Sequence, residues 1–120
     1  MDFTSPLTQS AEYTIDRDNE NQVRKTLEPR TDAEAGRIKR YLAMDDLSRT
    51  TTSPLHEIVE SVKRVPALAN FDNIIIPEIV PVDVSFDLFD FAPDHPARSA
   101  SDTYYADPKN ILRTHDTVMW

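Results

Sequence analysis

The residues with the greatest chemical reach lie toward the end of the chain. His115 follows Leu112-Arg113-Thr114, and an imidazole can accept from an ammonium or donate to a carboxylate, the two charged groups of an amino acid. A structural histidine remains the other reading of His115. Upstream, His95-Pro96-Ala97-Arg98 and Asp102-Thr103-Tyr104-Tyr105 crowd an imidazole, a guanidinium, a carboxylate and two phenols into eleven residues. Metal chemistry has no comparable basis. His56, His95 and His115 share no ligand spacing, and the series Asp83, Asp87, Asp90, Asp94 lacks the glycine and terminal glutamate of a calcium loop, so it reads as a solvated acidic face. There is no cysteine, which excludes disulfides and thiolate sites. The single glycine, Gly36, excludes the Gly-rich phosphate loops of P-loop and Rossmann proteins, whose backbones must approach phosphate without a Cβ.

These residues need elements to position them. Residues 1–30 are polar, with Val23 and Leu27 the only apolar pair at helical spacing in the second half, and read as a mobile arm or one weak helix. Thr31 with Glu34 fits a capping box ahead of a short helix over 32–43, with Ala35, Ile38, Tyr41 and Leu42 on one face. Ser53 as cap and Pro54 at the first helical position start the clearest amphipathic helix, which carries Leu55, Ile58, Val59, Val62 and Val65 on one side and ends near Pro66. Ile74 to Val80 is a β-branched run broken by Pro77, which belongs at a sheet edge or at the end of ladder pairing. Val84, Phe86 and Leu88 alternate with polar residues, a strand pattern that Phe89 and Phe91 break. Pro93 to Ser101 reads as a loop, Asp107 to Asn110 as a turn, and Ile111 to Trp120 as the beginning of another strand.

At 120 residues the chain has room for one domain, but its hydrophobic content of 39% makes the core thin. Lys and Arg total 13 against 21 Asp and Glu, a net charge of −8. That balance argues against independent attraction to a phosphate backbone, so an RNA partner would need a basic surface from another chain or segment. No apolar run approaches the ~20 residues of a membrane span and the N-terminus lacks an apolar signal region, so a soluble cytoplasmic protein is expected.

His95-Pro96-Ala97-Arg98, three residues, Asp102-Thr103-Tyr104-Tyr105, and then Leu112-Arg113-Thr114-His115 resemble, in order and spacing, the alpha subunits of phenylalanyl-tRNA synthetase, a class II aminoacyl-tRNA synthetase family. Pro77-Glu78-Ile79 and Phe86-Asp87 stand where that family has PEI and NFD, with no gap between the blocks. The resemblance covers residues 44–120. It implies an α+β fold: the front of a class II synthetase core, an antiparallel sheet with flanking helices, preceded by a helical or disordered arm over 1–43.

The implied activity is ATP-dependent attachment of phenylalanine to its tRNA, with ATP and Mg2+ as cofactors of the full-length enzyme. Motifs 2 and 3, which supply the phosphate-binding arginines, are absent from these residues. The chain alone is therefore expected to be inactive, to bind no cofactor by itself and to contribute no catalytic residue. The resemblance makes the Ser53 helix and the strand carrying Pro77 class II motif 1, the subunit interface, with Leu55, Ile58, Val59 and Val62 packed partly against a partner; the face also reads as the domain's own core. Implied partners are the beta subunit, a second alpha subunit, tRNA(Phe) and phenylalanine, with no membrane. His115, Thr117 and Tyr105 take the amino-acid pocket positions. Thr117 stands in for a family serine, and Asp116 departs from the usual threonine. His95, Arg98 and Asp102 fall in the loop at the pocket entrance, where a loop-fixing salt bridge is the plainer role. Tyr104, alternating with Tyr105, reads as core, and Arg113 paired with Asp102 is one open arrangement. A stand-alone interaction module built on the motif 1 surface is the alternative. An enzyme of the phosphoseryl or pyrrolysyl type is disfavoured by the spacing of the blocks.

Overall fold

The computed structural model describes residues 11–114. The chain divides into two compact units, one comprising Met1–Ile15 and Met44–Ile75, the other Asp16–Ala43 and Ile76–Trp120. The second unit carries the chemistry. Its centre is a three-stranded antiparallel sheet in the order β3 (Ile79–Pro81), β5 (Asn110–Leu112), β4 (Tyr105–Asp107). β3 pairs with β5 through Val80 opposite Ile111, and β4 with Tyr105 opposite Ile111. Between Tyr105 and Asp107 the β4 register slips by one residue, a bulge at the hairpin. There Asp107 accepts the Lys109 amide at 2.8 Å and the Asn110 side-chain amide at 3.1 Å.

Both faces of this small sheet are covered, and period two sorts the side chains between them. Ile79, Ala106 and Leu112 join Val23, Leu27, Ala35 and Ile38 in one apolar cluster; Val80, Ile111 and Tyr105 join Phe86 and Phe91 in another. The first cluster is supplied by helices α1 (Asp18–Leu27) and α2 (Ala33–Leu42). Residues 16–43 therefore take the helical reading rather than the mobile one, with α1 the helix marked by Val23 and Leu27 and α2 the short helix expected over 32–43. Val23 and Leu27, one turn apart, are enough to dock α1, because each is almost wholly removed from water. At roughly 1.5–3 kcal/mol per fully buried aliphatic side chain, those two residues offset much of the cost of ordering the helix. α2 begins one residue later than the capping box implied. Asp32 rather than Thr31 caps it, accepting from the Ala35 amide at 3.1 Å, because Arg30 grips the Asp32 carboxylate with a two-pronged pair at 2.9 Å.

The second cluster corrects the strand expected over Val84 to Leu88. Those residues form a helical turn, α4 (Val82–Ser85), and a 3-10 turn over Asp87–Phe89. Their shape follows from Phe86 and Phe91, whose rings stack at 5.3 Å, an approach that a straight strand cannot give residues five apart. The Phe91 amide donates to the Phe86 carbonyl at 3.0 Å, and Asp90 closes the turn at φ 58°, a left-handed conformation that aspartate tolerates.

The other unit contains β1 (Glu12–Thr14), α3 (Pro54–Lys63) and β2 (Asn73–Ile75). Ser53 caps α3, accepting from the Leu55 amide at 3.1 Å, and Pro54 sits in the first turn. β1 and β2 pair in parallel, Tyr13 opposite Ile74. The β-branched run from Ile74 to Val80 is thus two strands in two sheets rather than one edge strand, with Pro77 at the break where ladder pairing stops.

Candidate functional site

The loop carrying His95, Arg98 and Asp102 is wired mainly to itself. The His95 Nδ1 accepts the Ala97 amide at 3.0 Å and so caps the 3-10 turn Pro96–Arg98; Pro96, with no N–H, occupies the position where none is needed. His95 also lies against the Phe91 ring, at 4.6 Å between ring centres. Arg98 turns inward: its terminal nitrogen donates to the Asp87 carboxylate at 2.6 Å and to the Phe91 carbonyl, and its guanidinium lies 5.1 Å above the Phe86 ring. The hydroxyls of Thr103 and Tyr105 donate to the Ala97 and Arg98 carbonyls. Asp102 is exposed, with its amide donating to the Ser99 carbonyl at 2.9 Å.

Tyr105 leaves this loop on β4, half-buried in the Phe86 cluster, with its hydroxyl already donated. A ligand on this side therefore meets the ring and a phenol oxygen that can only accept. Tyr104 points the other way and is not core. It is 39% exposed, in edge contact with Tyr41 at 5.2 Å. The hydrogen bond between these phenols raises the Tyr104 pKa and, together with one from Arg40, lowers that of Tyr41.

β5 runs into Arg113, which finds partners on Pro77 and Glu78 rather than on Asp102. Its backbone amide donates to the Glu78 carbonyl at 2.8 Å, its Nε to the Pro77 carbonyl at 3.2 Å, and a terminal nitrogen reaches the Glu78 carboxylate at 3.4 Å. His115, Asp116 and Thr117, which follow at once, lie outside the described residues. The structure thus brings Tyr105, His95 and Arg98 together on one side of the sheet.

The interface positions separate. On α3, Leu55, Ile58 and Val62 are exposed, Val59 is half-buried, and the helix buries no residue. Pro77 is buried in the other unit. The edge of β3 that faces away from β5 is not open at its start, because the Glu20 carboxylate accepts the Glu78 and Ile79 amides at 2.6 and 3.3 Å. Glu20 is the residue most easily missed in the sequence. Its only local signal is Arg24 one helical turn on, which it pairs at 2.9 Å. Arg30 is the second such residue, reaching the Ala106 carbonyl of β4 while holding Asp32.

Residues 38–120 match the family described as tRNA synthetases class II core domain (F). The chain belongs to this family. Phenylalanine–tRNA ligase alpha subunits are similar to this class II core chain: that of Malacoplasma penetrans is 42% identical over 64 residues, covering 53% of this chain and 18% of the relative. That of Chloroherpeton thalassium is 35% identical over 89 residues, covering 62% and 26%, and that of Vibrio cholerae serotype O1 is 30% identical over 103 residues, covering 78% and 32%. The chain thus spans between about a fifth and a third of the length of these curated relatives. No solved structure matches it. The α+β class expected from the sequence is the one observed, helices around an antiparallel sheet that forms part of a class II core.

Class II synthetases in general use ATP and Mg2+. The described residues do not fit that group. Arg98 and Arg113 are turned onto the protein's own carbonyls and carboxylates, and no three His, Asp or Glu side chains that could hold a metal ion converge among the described residues. No phosphate step is assigned to them. Among the described residues no helix is long and apolar enough to cross a membrane.

Proposed function

We propose that this chain serves a phenylalanine–tRNA ligase as the front part of its alpha subunit, in the ATP-dependent attachment of phenylalanine to tRNA(Phe) in the cytoplasm. The observation that supports the reading most is the class II core match over residues 38–120, together with the grouping of the His95 to Arg98 turn and Tyr105 on one side of the antiparallel sheet. Tyr105 contributes its ring to one wall of the amino-acid pocket, and His115 and Thr117 contribute a ring nitrogen and a hydroxyl to the substrate amine and carboxylate. His95, Arg98 and Asp102 shape the entrance. ATP with Mg2+ is held by groups outside the described residues, so the 120-residue chain by itself turns over no substrate. The beta subunit and a second alpha subunit complete the assembly.

Binding of L-phenylalanine, read by chemical-shift changes at Tyr105 and Thr114, tests the pocket. The expected result is saturable shifts that His115→Ala abolishes; an unchanged spectrum, or equal shifts with L-serine, overturns it. Pyrophosphate exchange in the reconstituted assembly tests the activity. Phenylalanine-stimulated exchange by the isolated chain overturns the assignment of the phosphate groups elsewhere.

A second reading, an interaction module built on the α3 face, draws on the exposure of Leu55, Ile58 and Val62. It is favoured if the chain captures an intact alpha subunit while binding no phenylalanine.

A further inference from the structure

Glu20 is a carboxylate 1% exposed inside a thin protein, and nothing in the proposed chemistry uses it. A buried carboxylate is retained only where its acceptor capacity is filled. One Glu20 oxygen accepts the Arg24 Nε at 3.0 Å and lies 2.9 Å from its terminal nitrogen; the other accepts the amides of Glu78 and Ile79. Those amides stand at the start of β3, and that of Ile79 faces away from β5, where another strand would otherwise pair. The same three residues, Pro77 to Ile79, also receive Arg113. The Pro77 carbonyl takes its Nε, the Glu78 carbonyl its backbone amide, and Ile79 stands opposite Leu112 in the ladder. Glu20 and Arg113 therefore both clamp one tripeptide, Glu20 through its amides and Arg113 through its carbonyls, and Arg113 is followed after one residue by His115.

We propose that Glu20 is a positioning residue for the pocket wall: by filling the amides at the start of β3 it fixes the tripeptide on which Arg113 seats the end of β5, which His115 follows in the sequence. The role rests on the reading of His115 as a pocket residue, but the clamp is measured without any ligand. It also makes α1 part of the site's support. Val23 and Leu27 hold the helix against the sheet, and Glu20 converts that packing into a fixed position for Glu78.

The test compares the whole chain with Glu20→Gln and Arg24→Gln by residue-resolved amide exchange and by the amide shifts of Arg113 and Thr114. Glu20→Gln keeps the side chain's size and one acceptor oxygen while removing its charge. Exchange at Glu78 and Ile79 is expected to speed up by about tenfold to a hundredfold, the range for losing hydrogen bonds to a charged acceptor, and the Arg113 and Thr114 shifts are expected to move. Ile111 exchange should change by less than about threefold, since the apolar clusters remain. Arg24→Gln, which leaves the carboxylate on the two amides, should give a smaller change in the same signals. Equal acceleration at Ile111 makes Glu20 a general stabiliser and overturns the proposal, as does an Arg113 and Thr114 spectrum unmoved by Glu20→Gln. L-Phenylalanine titration of the same samples separates the two ideas. A clamp that responds in a wild-type chain blind to phenylalanine upholds the positioning role and removes the amino-acid reading, whereas phenylalanine binding with an unresponsive clamp does the reverse.

Discussion

Replacing Arg98 by alanine should open the entrance loop without unfolding the sheet beneath it. Three interactions disappear. The pair with Asp87 contributes least, because Asp87 is 59% exposed and an ion pair open to solvent is worth at most about 1 kcal/mol. The bond to the Phe91 carbonyl comes from a charged donor that is itself only 14% exposed, which places it at about 1.5–3 kcal/mol. The guanidinium over the Phe86 ring adds about 0.5–1 kcal/mol. Against these, the Nε of Arg98 is buried with no hydrogen-bond partner among the described residues, and deleting it recovers about 1 kcal/mol. The net loss is therefore about 1–4 kcal/mol, centred near 2.5, or a rise of about 5- to 700-fold in the population of the open loop at about 1.4 kcal/mol per factor of ten. Amide exchange at Ser99, Asp102 and Thr103, whose N–H groups close the turn, reads this directly. Asp87→Asn should raise the same rates by no more than about fivefold, because the carbonyl bond and the ring contact remain. Arg98→Lys should fall close to alanine, since an ammonium keeps the charge but not the fork that reaches two acceptors. If Asp87→Asn opens the loop as far as Arg98→Ala, the exposed ion pair is the dominant link and the partition above is wrong.

The pKa of Asp32 is held down to about 2 from an ordinary 3.8, first by the Arg30 guanidinium and then by the Ala35 amide. A depressed carboxylate stabilises the fold above its unfolded pKa, so the α2 start should keep its full protection above about pH 4 and lose it as pH falls toward 2; Ala35 exchange across that window checks this, and Asp32→Asn should flatten it. Ile111→Ala empties a fully buried site in the central strand and should cost about 2–5 kcal/mol, measurable by urea unfolding. Ile58→Glu on the exposed α3 face should change the chain's own stability by less than about 0.5 kcal/mol while abolishing co-purification with a partner subunit; stability that falls with association would mean the face is packed internally.

What was legible in the sequence followed the length of chain over which each contact closes. The α3 start at Ser53-Pro54, the α2 periodicity and the turn at Asp107 to Asn110 all close within a few residues, and their residue types state the geometry. The His95 to Tyr105 blocks are nearly as local: Thr103 reaches back six residues, Tyr105 seven and Arg98 eleven. Period two failed between Val84 and Leu88 because the pattern was too short to compete with Phe86 and Phe91, which need a turn to stack. Pro77 marked a break correctly, but local pattern does not say that the strands on its two sides belong to different sheets.

The contacts that support the candidate pocket wall close over much longer stretches. Arg113 reaches the Pro77 carbonyl 36 positions away, and Glu20 the amides of Glu78 and Ile79 across 58 and 59. A glutamate among Asn, Asp and Arg looks like solvated surface, since a sequence displays side chains and not the backbone N–H groups left without a partner. An unpaired strand edge is a property of the assembled sheet. The residue that satisfies it can come from any part of the chain with a carboxylate and a helix to carry it. A site of this kind therefore has two layers of different legibility. The chemical groups lie in compact blocks that spacing can match to a family, while the groups that hold those blocks in register are scattered among residues that compositional reasoning assigns to an arm.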